Sequence, residues 1–113
     1  MVAKVIDGKA VALKVRGELR EQVESLVERG QRPGLAVIIV GDNAASRVYV
    51  TNKVKACSEV GIASTVHAFP ADTEDAIIEA RIRALNDDPA VHGILVQLPL
   101  PPAFDVRRVL GAI

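Results

Sequence analysis

Hydrophobic positions along the chain follow two alternating rhythms. From Lys9 to Arg29, Val11, Val15, Leu19, Val23, Leu26 and Val27 recur at spacings of four and three, which predicts a helix stopped by Gly30. Gly17 inside it costs roughly 1 kcal/mol relative to alanine. Pro33-Gly34 then turns the chain into LAVIIV (Leu35–Val40), a continuous β-branched run that reads as a strand covered on both faces. The stretch Asn43–Gly61 returns to the helical rhythm, with an Asp42/Asn43 start and a glycine stop. Ile62–Phe69 alternates as an edge strand and Pro70 closes it. Asp72 or Thr73 is the expected cap of a third helix with the stripe Ile78, Ile82 and Leu85, ended by Asn86-Asp87-Asp88-Pro89. Gly93–Leu98 (GILVQL) reads as a third strand, and Asp105 caps a last short helix.

An αβαβαβα order predicts an α/β fold. Its architecture is a three-layer αβα arrangement around a small parallel sheet, with Leu35–Val40 as the central strand. At 113 residues the chain is the size of one domain, 1–113, with no repeat or linker. In such sheets ligands bind beyond the carboxyl ends of the strands.

One residue interrupts the pattern at that edge. At ~100° per residue, Ser46, Tyr49, Val50, Lys53, Cys57 and Val60 share one arc of the second helix. Burying an unpaired ammonium there costs several kcal/mol unless a partner is supplied or its pKa falls. Lys53 is therefore either a snorkelling side chain at the stripe's rim or part of a functional Ser–Tyr–Lys row. Gln97, the first polar side chain of GILVQL, lies where that strand runs out, and Pro99, Pro101 and Pro102 stiffen the exit. An amide, an amine and a rigid apolar wall would suit a flat heterocyclic ligand. Gln97 could equally satisfy loop backbone, and the prolines could simply reverse the chain.

Composition narrows the alternatives. Half the residues are hydrophobic, and 14 basic side chains balance 14 acidic ones, so neither a nucleic-acid nor a membrane-surface binder is indicated. The lone Cys57 cannot form an internal disulfide, and no signal peptide or apolar run of ~18 residues is evident, so a cytoplasmic location is expected. His67, His92 and Cys57 are too widely spaced for a zinc site, and no metal is expected.

The stretch GDNAASRVYVTNKVKACSEVG (Gly41–Gly61), followed by GILVQLPLP (Gly93–Pro101), resembles one enzyme family. It is similar to the amino-terminal catalytic domain of bifunctional methylenetetrahydrofolate dehydrogenase/methenyltetrahydrofolate cyclohydrolases. Ile6-Asp7-Gly8-Lys9 and Pro33-Gly34-Leu35-Ala36 resemble the same family's start. The Tyr-x-x-x-Lys row is a weak motif alone, and a specific one when paired with Val-Gln-Leu-Pro-Leu-Pro. The resemblance implies interconversion of 5,10-methylenetetrahydrofolate, the 5,10-methenyl cation and 10-formyltetrahydrofolate. It makes Lys53 the catalytic proton-transfer group, with Tyr49 packed on the folate and Gln97 tuning the lysine. Ser46, Val96, Leu98 and Pro99 would complete the substrate pocket. An arginine could not replace Lys53, because it stays protonated.

The departures are equally informative. The family's dehydrogenase step uses NADP bound by a following Rossmann domain, and this chain has no G-x-G-x-x-G, so no cofactor-binding residues are expected in it. The family's D-V-D-G-F segment would fall just beyond Ile113, and Asp105 does not replace it. Ala44 stands where the family usually has proline. The chain is expected to be the folate-binding part of a two-domain enzyme that is a homodimer when complete. The alternative is a non-catalytic α/β binding or scaffold module that kept the fold, but a scaffold would need none of Tyr49, Lys53 and Gln97.

Overall fold

The computed structural model describes residues 2–113. Helix α1 (Gly8–Glu28) leads to strand β1 (Gly34–Val40), helix α2 (Ala44–Val60) and strand β2 (Ala63–Phe69). Helix α3 (Asp75–Asn86), strand β3 (Gly93–Val96) and helix α4 (Val106–Gly111) follow. The sheet is parallel throughout in the order β2-β1-β3, with β1 central as its unbroken apolar run requires.

The two faces of β1 feed two separate cores. Ala36, Ile38 and Val40 pack with Ile78, Ile82 and Leu85 of α3, and with Val96, Leu100, Phe104 and Val109. Val37 and Ile39 point the other way, against Val50 and Val54 of α2 and Leu95 of β3. The result is the expected three layers, because strand side chains alternate between faces.

Local chemistry sets the element ends. Asp7 caps α1 by accepting from the N–H groups of Lys9 (3.1 Å) and Ala10 (3.2 Å), and Asn43 caps α2 through the Ser46 N–H (3.0 Å). Gly61 ends α2 with φ of 90°, a left-handed conformation that favours glycine. At the other end of the sheet, the Gly34 N–H donates to Nδ1 of His92 (2.9 Å), while the His92 N–H donates to the Gly34 carbonyl (2.8 Å). A Cβ on Gly34 would lie 2.0 Å from the Ala90 carbonyl oxygen, so only glycine fits that crossing.

Three expectations are corrected. Neither Asp72 nor Thr73 caps α3: the cap position is Glu74, which makes no side-chain cap bond. The Thr73 hydroxyl instead donates to the Pro70 carbonyl (2.7 Å) and closes the preceding turn. Strand β3 ends at Val96 rather than Leu98, although the Gln97 N–H still donates to the Ile38 carbonyl (2.9 Å). The α1 stripe is only partly used. Val23 is buried, whereas Val11, Val15 and Leu19 are 40–52% exposed, because the amino-terminal half of α1 runs past the body of the domain.

Candidate active site

The two residues that matter most come from consecutive crossovers. Gln97 follows β3 in the same alternation as Leu95, which faces the α2 layer, so its side chain emerges on the side where α2 passes. Lys53 lies on α2 one turn beyond Tyr49, and its Nζ donates a 2.6 Å hydrogen bond to Gln97 Oε1. Gln97 is 8% exposed and its Nε2 donates to the Leu98 carbonyl (3.0 Å). That second bond fixes the amide's orientation, since an NH₂ group cannot accept and the oxygen is left to face the ammonium. The lysine is thus half-buried and paired with a neutral dipole rather than a carboxylate.

Around this pair the remaining candidates are distributed unevenly. Ser46 is 3% exposed, and its buried hydroxyl oxygen, in the first turn of α2, has no hydrogen-bond partner among the described residues. Leu98 and Pro99 are exposed at the mouth of the β3 exit, where they form an apolar surface next to Gln97. The Leu98–Pro99 peptide bond is cis. Tyr49 is 57% exposed and stands at the rim rather than in the stripe's interior. Val96 is not on this side: its side chain packs in the α3/α4 core, as the alternation between Leu95 and Gln97 demands.

Sequence reasoning missed one pair. Both oxygens of Glu79 accept from Arg108, from Nε and Nη2 at 2.8 Å each, and the Glu79 side chain is 8% exposed. A signal was available. Glu79 stands three residues before Ile82, on the flank of the buried stripe, so it is the same kind of anomaly as Lys53. Among the described residues no cluster of three or more His, Cys, Asp or Glu could hold a metal ion.

Residues 6–113 match the family described as tetrahydrofolate dehydrogenase/cyclohydrolase, catalytic domain. The chain belongs to this family. The bifunctional protein FolD of Nitrosospira multiformis is 55% identical over 113 residues, all of this chain and 39% of that protein. The bifunctional enzyme FolD of Campylobacter jejuni superposes with a TM-score of 0.93 at 46% identity, covering 95% of this chain and 38% of that one. The Trypanosoma brucei FolD, described as complexed with NADP cofactor and inhibitor, gives 0.93 at 42% identity over 98% of this chain and 38% of that one. The chain therefore spans about two fifths of the length of the FolD relatives it matches.

Dinucleotide binding does not fit the β1-to-α2 turn at this edge. The start of α2 presents Asp42, which pairs with Arg47, and the Asn43 side chain already occupies the Ser46 N–H. A diphosphate there would meet the Asp42 carboxylate and a cap side chain already bonded to the Ser46 N–H.

Proposed function

We propose that this FolD-family chain supplies the folate site and the proton-transfer lysine of a methylenetetrahydrofolate dehydrogenase/methenyltetrahydrofolate cyclohydrolase. The observation that carries the reading is the 2.6 Å contact between Lys53 and Gln97 at the carboxyl edge of the sheet. The substrate's methenyl bridge is an electrophilic, positively charged carbon. Water adding to it must lose a proton, and the ring nitrogen must gain one as its bond to that carbon breaks. A single amine can do both, accepting the first proton and returning the second. The remaining hydroxyl proton is released to solvent as the formyl C=O forms. Gln97 orients the amine for this exchange. Tyr49, Leu98 and Pro99 offer aromatic and apolar surface to the pterin.

NADP accepts hydride in the dehydrogenase step, and its site belongs to a part of the enzyme outside these residues. A homodimeric, cytoplasmic enzyme completes the proposal. No described helix is long and apolar enough to cross a membrane.

The test is Lys53→Met in the protein carrying this chain. The substitution keeps the apolar stem and removes the proton-transfer group. Cyclohydrolase turnover should fall by ~10²–10⁴ with the melting temperature unchanged. Turnover within a few-fold of the unsubstituted protein would return Lys53 to a surface-covering role.

A further inference from the structure

We infer that the ion pair between buried Glu79 and half-exposed Arg108 is a positioning clamp for the wall of the folate site, an inference that rests on the function proposed above. The wall, Leu98 and Pro99, is exposed and belongs to no helix or strand. Its placement depends on what holds the segment Leu98–Phe104 at its two ends. At the first end Gln97 is fixed twice, by its N–H to Ile38 and by its side chain to Leu98. At the second, Leu100 and Phe104 sink into the core against Ile78 and Ile82. The Asp105 N–H donates to Asp75 Oδ2 at 3.0 Å, and Asp105 Oδ1 in turn caps α4 through the Arg108 N–H at 3.2 Å.

Apolar contacts alone would let α4 slide on α3. The Arg108 fork closes that freedom: two parallel hydrogen bonds to one carboxylate fix distance and rotation together. Stability alone does not call for this arrangement, since an ion pair with one half-exposed partner adds little net stability. What the ion pair adds is register. Glu79 and Arg108 touch no reacting atom in this scheme; they act through the segment they hold.

The test uses two variants of the protein carrying this chain: Glu79→Leu/Arg108→Leu, which restores an apolar contact, and Arg108→Lys, which keeps the charge and loses the fork. Amide hydrogen exchange at Phe104 and Asp105, whose N–H groups are hydrogen-bonded to Pro101 and Asp75, melting temperature, and KM and kcat for 5,10-methenyltetrahydrofolate hydrolysis are measured on each. The double variant should melt within a few degrees of the unsubstituted protein and exchange ~10-fold faster at Phe104 and Asp105. Its KM should rise ~5- to 10-fold while kcat stays within about two-fold. Arg108→Lys should fall between the two, and it carries the same readouts if the double variant fails to fold. Exchange and KM both unchanged in a folded variant would overturn the clamp. If the unsubstituted protein does not hydrolyse the methenyl substrate, the folate reading falls, and the exchange rates alone decide whether the pair holds the segment.

Discussion

Helices α1 and α3 carry the same apolar rhythm and meet different fates. Over its 12 residues α3 buries Ile78, Glu79, Ile82 and Leu85, while α1, at 21 residues, buries Val23 alone. Their sequences announce amphipathicity equally well. The difference is the surface opposite: α3 lies against the Ala36–Ile38–Val40 face of the central strand, whereas α1 packs on α2. Only the carboxyl-terminal turns of α1 gain much from that. Val11, Leu13, Val15 and Leu19 stay exposed, as do Val2, Val5 and Ile6 ahead of them. The radius of gyration, 16.6 Å, exceeds the about 13 Å of a packed domain of this length. A periodic stripe fixes which side of a helix is apolar, and says nothing about whether another element will be there to receive it.

The largest effect that separates the two helices should come from truncating them. Ile82→Ala removes a fully buried side chain and should cost ~2–5 kcal/mol, whereas Val11→Ala in α1 should stay within ~0.5 kcal/mol. Urea unfolding midpoints of the two variants decide it, and equal losses would mean that α1 is as well packed as α3.

Glycine substitutions should give opposite signs. Gly34→Ala places a Cβ 2.0 Å from a backbone oxygen, which cannot yield as a flexible side chain would, and should destabilise by ~1–3 kcal/mol. Gly17→Ala meets nothing within 4 Å and should raise stability by up to ~1 kcal/mol through helix propensity. A loss at Gly17 would show that the middle of α1 is in close contact after all.

Leu13→Lys sharpens the contrast further. With Leu13 66% exposed, the melting temperature should hardly move, while self-association at high concentration should decrease because an apolar patch is broken by charge. Light scattering against protein concentration would reveal it.

The smallest effect is a pH dependence at the β2–α3 contact. Arg81 Nη1 lies 2.8 Å from His67 Nδ1, and Thr65 Oγ1 lies 3.1 Å from Nε2. A guanidinium only donates, so Nδ1 must accept and the ring is neutral. Burial first, and the Arg81 charge second, hold the His67 pKa below its ordinary 6.5. Because the folded value lies below the unfolded one, this contribution is full above pH 6.5 and is lost as pH falls through the folded value. His67→Gln should slightly flatten the decline in unfolding midpoint between about pH 7 and 5. An unchanged slope would remove His67 from the acid limb.

Much of this molecule was legible because the deciding signals are local. The run Leu35–Val40 announced a central strand, and it pairs on both edges. Lys53 stood out against an apolar stripe, and its partner Gln97 was the first polar residue of the next apolar strand. What stayed hidden depends on neighbours distant in sequence. Thr73 and Asp75 look alike as helix-start residues, but one closes the turn to Pro70 and the other receives Asp105, thirty residues on. The family resemblance puts Val96 in the substrate pocket, whereas strand alternation sends it to the opposite core.

Cys57 gives the helix that bears Lys53 a built-in reporter. Its thiol is buried in the α2 stripe, and burial raises its pKa, so little reactive thiolate exists while the helix is seated. Modification by a thiol reagent then has to wait for α2 to lift away from its neighbours. The labelling rate counts those excursions directly, and any ligand that binds only the seated helix would slow it.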